Sequence, residues 1–185
     1  MARIASTGLV VCSGVAFGVT AMTGLVAAVV FPAMRELDPT LGGYAGYDGP
    51  HWSLVAGVIA EKVFHVGFVV TGVMLGLSLA AVLGLVVLRR VSGVPIVRLG
   101  LVVVTLGLYL THVGWLQPRM DRAARTYREA ASTQQNEVAA AMKSEFDDMH
   151  PIASKLIGAL ALSSFALFTV SAWTASAGRQ TQGAG

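Results

Sequence analysis

Residues 63–88 read VFHVGFVVTGVMLGLSLAAVLGLVVL, with one histidine and no charged side chain. A bilayer core needs about 20 apolar residues in helical form, so this stretch is long enough to cross once. In lipid the backbone must satisfy its own hydrogen bonds, which a continuous apolar run does as a helix. Three further stretches share the property: Ile4 to Met34, Leu99 to Pro118 and Leu156 to Gly178. The chain therefore reads as an all-α membrane protein. We expect an antiparallel four-helix transmembrane bundle, with spans near 7–34, 58–88, 97–117 and 151–174.

The composition agrees, with 55% hydrophobic and 12% charged residues in 185. No room remains for a separate soluble domain, and residues 1–185 read as a single integral membrane domain. The net charge of +3 does not point to nucleic acid, because the basic residues lie where membrane topology places them. The single cysteine, Cys12, excludes an internal disulfide framework. Its apolar run continues well beyond it, longer than the roughly 7–15 residues of a signal-peptide core. The first segment reads as a retained span.

Charge sorts the connections. Arg3, Arg89, Arg90, Arg98 and Arg179 mark the two tails and the second connection, which hold no acidic residue. The acidic residues and the other basic ones fall in or beside the first and third connections. Basic residues in short loops stay on the cytoplasmic side. Both termini are thus expected in the cytoplasm, at the cell (inner) membrane. The turn through Gly93 and Pro95 makes the second and third spans antiparallel neighbours.

The first outer loop, 35–57, is rich in Gly and Pro and reads as irregular. Its Tyr44, Tyr47 and Trp52 suit the headgroup zone. Residues 119–149 are instead rich in Ala, Glu, Gln, Arg and Lys, which favour helix. Ser132 and Gln135 have capping-box spacing. Arg125/Glu129 and Lys143/Asp147 are opposite charges four apart. An extramembrane helical hairpin is expected there, with its break near 131–134. Gly14 and Gly18 form a GxxxG, which suits close packing within the bundle or a dimer seam.

Ionisable residues within spans mark function by default. Glu61 and His65 lie four apart near the outer start of the second span, and His112 near the outer end of the third. All three are expected to face the bundle interior. One reading is structural, with Glu61 neutralising Arg119 or Arg122 and no cofactor bound. A second is a divalent-metal site of Glu61, His65 and His112, suited to Zn, Fe or Cu. A third is haem b held between His65 and His112. A polar substrate or proton path is the fourth. The short P-loop, nucleophile-elbow, CxxC and HExxH motifs are absent from the sequence.

Three helix-end segments carry a resemblance. They are Val29-Val30-Phe31-Pro32-Ala33-Met34 through Leu37, Leu116-Gln117-Pro118-Arg119-Met120, and Phe146-Asp147-Asp148-Met149-His150-Pro151-Ile152-Ala153. In order and spacing the chain resembles the four-span domain of unknown function shared with transmembrane protein 205. It departs at Met149, where that family prefers leucine, at Ala153, where it prefers serine, and in a longer first outer loop. The resemblance implies the same four-span architecture, no settled activity, and a shared role for Pro32, Pro118, Arg119 and His150. From all this we expect a non-enzymatic accessory subunit or interaction module of a membrane complex. Its partners would be the lipid bilayer and a membrane protein or a second copy. A small haem- or metal-binding membrane protein is the alternative.

Overall fold

The computed structural model describes residues 2–88 and 93–180. Helix α1 runs Ala2–Leu37, α2 His51–Leu88, α3 Gly93–Thr111, α4 Gln117–Ser132 and α5 Asn136–Gln180. A single 3-10 turn at Gly42–Tyr44 interrupts the first connection, and a π turn at His112–Leu116 joins α3 to α4. Four helical stretches are long and apolar enough to cross a membrane: Ile4–Leu37, His51–Val87, Ile96–Ser132 and Asn136–Ser176. The protein is an all-α, four-helix, multi-pass membrane bundle. Of the tight turn expected from Arg89 to Arg98, residues 89–92 lie outside the described residues, and Gly93, Pro95 and Arg98 belong instead to α3, where a proline is tolerated in the first turn.

The residues divide into two compact units. The first falls within Met1–Ala21, Gly67–Tyr109 and Gly158–Gly185, the second within Met22–Val66 and Leu110–Ile157.

In the first unit, buried positions recur at alternating steps of three and four on every helix. They are Leu9, Ser13, Ala16 and Thr20 on α1, and Thr71, Leu75, Ser78, Val82 and Leu85 on α2. On α3 they are Arg98, Val102 and Thr105, and on α5 Leu160, Ser164, Leu167 and Ser171. This is the heptad-like seam that lets helices interdigitate side by side. Leu9, Val82, Leu85, Val102 and Leu167 form its apolar cluster. The hydroxyls are small enough to let backbones approach. Ser13, Thr20, Ser78 and Thr105 each donate to the carbonyl four residues back, which satisfies them within their own helix.

The opposite faces are apolar and uncovered: Val69, Val73 and Leu77 on α2, Val103 and Val104 on α3, and Leu162, 72% exposed, on α5. Large exposed apolar faces around a core containing hydroxyls suit hydrocarbon, which solvates Leu as well as another helix does.

Small residues set the spacing. A Cβ at Gly14 would stand 3.2 Å from the Phe168 ring, and Phe17 meets Phe165 at 5.1 Å. Three residues back along α1 thus match three forward along α5, the signature of antiparallel helices. Gly18, by contrast, has open space where its Cβ would be, so only Gly14 of the GxxxG makes a close approach. Any Cβ at Gly72 would collide with the Tyr109 hydroxyl, which donates to the Phe68 carbonyl at 3.0 Å and ties α3 to α2.

In the second unit, the π turn has a local cause. Pro118 lacks an N–H and its ring crowds the carbonyl four residues earlier. A widened turn containing Gly114 relieves that clash, and the Gln117 N–H bonds instead to the His112 carbonyl. The helix therefore passes through Pro118 into α4. Pro32 likewise lies inside α1, which continues to Leu37.

The hairpin closes differently from the expected capping box. Ser132 donates to the Glu129 carbonyl, inside the last turn of α4. Gln134 takes a left-handed φ of 61°. The Gln135 N–H then reaches Ala130 O and the Gln134 N–H reaches Ala131 O, a Schellman closure. Of the two expected ion pairs, Lys143–Asp147 forms. Arg125 instead donates to the Asp121 carbonyl.

Candidate functional site

The second unit binds the first connection to the hairpin through a small core of Tyr47, Leu54, Tyr127, Ala130, Ala131 and Ala139. At its centre the Tyr47 and Tyr127 hydroxyls lie 2.8 Å apart, and Tyr127 lies 2.9 Å from Ser53 Oγ. Ser53 gives its one proton to the Pro50 carbonyl at 2.8 Å. It must then accept from Tyr127, and Tyr127 must accept from Tyr47. The order of donors is fixed along the chain Tyr47, Tyr127, Ser53, Pro50. Burial pushes the Tyr127 phenol above its ordinary range, so it stays protonated and keeps this order.

His51 secures the other side. Its Nδ1 accepts from the Leu41 N–H at 2.9 Å, so its proton sits on Nε2 and is donated to the Tyr47 carbonyl at 3.2 Å. Its ring stacks on Tyr47. The hairpin turn docks by Asn136, whose Nδ2 donates to the Gly46 carbonyl at 3.1 Å and to Asp48 Oδ2 at 2.9 Å. Gly46 lies close against the Gln134 side chain, so a Cβ there would require that exposed side chain to move aside.

The two walls so joined leave an open cleft of about 500 Å³. Tyr47 to Pro50 form one wall. The stripe Asn136, Ala140, Lys143, Ser144 and Asp147, one face of α5, forms the other. Donors, acceptors, both signs of charge and one aromatic residue, Tyr47, line the cleft.

The polar residues singled out by sequence lie elsewhere in this unit. His112 is buried at 4% exposure, whereas Glu61 and His65 are exposed. The expected common interior orientation is therefore corrected for Glu61 and His65, while His112 does lie inside. Among the described residues, no group of three or more His, Cys, Asp or Glu side chains is placed to hold a metal ion. Glu61, His65 and His112 thus form no metal-ligating group.

Glu61 pairs with Arg128 at 2.7 Å, and not with Arg119 or Arg122. Side chains on helices lean toward their own N-termini, so Arg128 reaches back down α4 while Glu61 reaches out along α2. Glu61 consequently lies level with the charged part of α4, where exposure costs far less than in hydrocarbon. Asp121 belongs to the same cluster. Burial raises its carboxyl above the ordinary range and Glu61 adds to the rise, while Arg125, Arg128 and His65 offset it.

Arg119 lies over the Trp115 ring at 4.9 Å, and Arg35 over Trp52 at 4.8 Å. Both are amphipathic pairs fit for the membrane boundary. His150 is exposed and lies beside the rings of Phe31, at 6.4 Å, and Phe146, at 6.2 Å. The helix-end segment around Pro32 therefore meets the one around His150.

No family model matches this chain, and no curated protein or solved structure matches it.

Proposed function

We propose that this protein is a non-enzymatic interaction module of a membrane complex, anchored by its four helices and engaging a partner through the cleft of the second unit. The observation that carries the reading is the directional chain Tyr47–Tyr127–Ser53–Pro50, which with Asn136 holds two separate stretches of chain as fixed walls. Preorganised walls lower the ordering cost of binding. The mixed lining of Asp48, Asn136, Lys143, Ser144 and Asp147 suits a polar, peptide-like segment of a membrane protein, with Tyr47 as an aromatic contact.

The charge pattern supports placing the cleft outside the cell membrane and both termini in the cytoplasm. Kinship with the four-span domain shared with transmembrane protein 205 is part of the same proposal and rests on the resemblance of the segments around Pro32, Pro118 and His150.

A photo-crosslinking residue at Ser144 tests the function in intact membranes. A discrete adduct that is lost on exchanging Lys143→Glu and Asp147→Lys is expected. Equal, diffuse adducts from Ser144 and from Leu162 would contradict it. For orientation, an impermeant thiol reagent should label Gln134→Cys from outside and leave Ser92→Cys unlabelled, both in a Cys12→Ala background.

A further inference from the structure

Each of the four charge-free runs ends, within the second unit, in a cation: Arg35 after Met34, Lys62 before Val63, Arg119 after Pro118 and Lys155 before Leu156. All four residues are exposed. A cation placed where an apolar run stops directs its charge to the headgroup level and lays its stem along the apolar surface. Trp115 marks that level on the third run. It is 46% exposed, it lies under Arg119, and indole rings gather at the membrane boundary.

Of the four, only Arg119 is joined by a second arginine on its helix face. Arg122 follows three residues later on α4 and is also exposed, which puts the two Cβ atoms about 5–6 Å apart on one side of the helix. The nearby acidic groups are engaged with other cations. Glu61 pairs with Arg128, and the cations that act on the Asp121 carboxyl are Arg125, Arg128 and His65. Among the described residues, neither Arg119 nor Arg122 is in an ion pair. The face thus presents two guanidinium groups to the headgroup level with no carboxylate paired to either.

We propose that Arg119 and Arg122 bind the headgroup phosphate of an anionic phospholipid at the membrane end of α4. Each guanidinium donates to a non-bridging oxygen of the phosphodiester, as arginine does wherever it recognises phosphate. A zwitterionic lipid fits less well, because its ammonium brings a third positive charge to a face that already carries two.

Quenching of Trp115 fluorescence by brominated lipid tests this at the site itself, in the full chain with Trp52→Phe and Trp173→Phe in phosphatidylcholine vesicles. Brominated phosphatidylglycerol and brominated phosphatidylcholine, added at equal small fractions, give the relative affinity of the two headgroups beside Trp115. A basic residue near a membrane surface is worth about fivefold toward anionic lipid, so two arginines predict a preference on the order of 20-fold. It should fall to about fivefold in Arg122→Gln and vanish in Arg119→Gln/Arg122→Gln. Arg122→Lys keeps the charge and should retain the preference, which separates an electrostatic loss from a structural one. Arg125→Gln removes an equal charge from the same helix and should leave the preference in place. Equal quenching by the two lipids, an unchanged preference in Arg122→Gln, or an equal loss in Arg122→Lys or Arg125→Gln would overturn the proposal.

Discussion

The two units differ in where most of their core hydroxyl groups bond. In the first, Ser13, Thr20, Ser78 and Thr105 bond to their own helices, while Tyr109 ties α3 to α2 through the Phe68 carbonyl and Thr20 lies 3.5 Å from Thr71. In the second, the hydroxyls of Tyr47, Tyr127 and Ser53 bond between distant parts of the chain and hold a connection in place. A hydroxyl bonded within its own helix leaves that helix free to pack, whereas one bonded to a distant part of the chain fixes a connection in place.

The sharpest way to break this comparison lies within α5. Leu167 is fully buried in the apolar cluster, while Leu162 is 72% exposed. Leu167→Ala should cost about 2–5 kcal/mol in unfolding from mixed micelles. Leu162→Ala should stay within about 0.5 kcal/mol. Similar costs would mean that Leu162 is covered, and the assignment of a lipid-facing surface would fail.

Tyr127→Phe comes next in size. It leaves the Tyr47 hydroxyl without its acceptor, at a cost of about 1–3 kcal/mol. The loss should be seen as faster amide exchange across residues 41–54 with the first unit unaffected. A uniform loss of protection over the whole chain would show that the two hydroxyl patterns are not separable.

Glu61→Gln is expected to be milder, at about 1 kcal/mol or less, because the Glu61 side chain is 43% exposed and the pair is screened. A cost comparable to that of Leu167→Ala would place Glu61 in a dry interior instead.

The smallest effect is one of pH. The folded-state carboxyl of Asp121 lies above its unfolded value, mainly through burial and then through Glu61. Its contribution to stability is complete below the unfolded pKa and is lost as pH rises through the folded one. Wild type should therefore lose stability relative to Asp121→Asn as pH climbs out of the ordinary carboxylate range. Parallel pH profiles for the two proteins would show that Asp121 is not shifted.

Much of the bundle is legible before any coordinates, because charge-free runs such as 63–88 leave the chain no other way to cross lipid. The seam is legible too, though only once the apolar runs are read for their hydroxyls: Ser164 and Ser171 stand seven apart. Partnerships between helices are not legible. Arg119 and Arg122 are nearer to Pro118 in sequence than Arg128 is, yet Arg128 meets Glu61, because the pairing depends on how side chains lean from two facing helices. The same holds for Tyr47, which taken alone reads as a headgroup aromatic and becomes structural only through Tyr127. The Ser132–Gln135 pattern is superseded because Gln134 accepts a left-handed conformation and closes α4 through the backbone.

The account rests most on the claim that the first unit presents its faces to lipid and the second presents its cleft to water. Spin labels at Leu162 and at Ser144, each the single cysteine in a Cys12→Ala background in vesicles, test it directly by relaxation with oxygen against a water-soluble nickel complex. Relaxation dominated by oxygen at Leu162 and by nickel at Ser144 is the expected result. Nickel access at Leu162, or oxygen dominance at Ser144, would contradict the account.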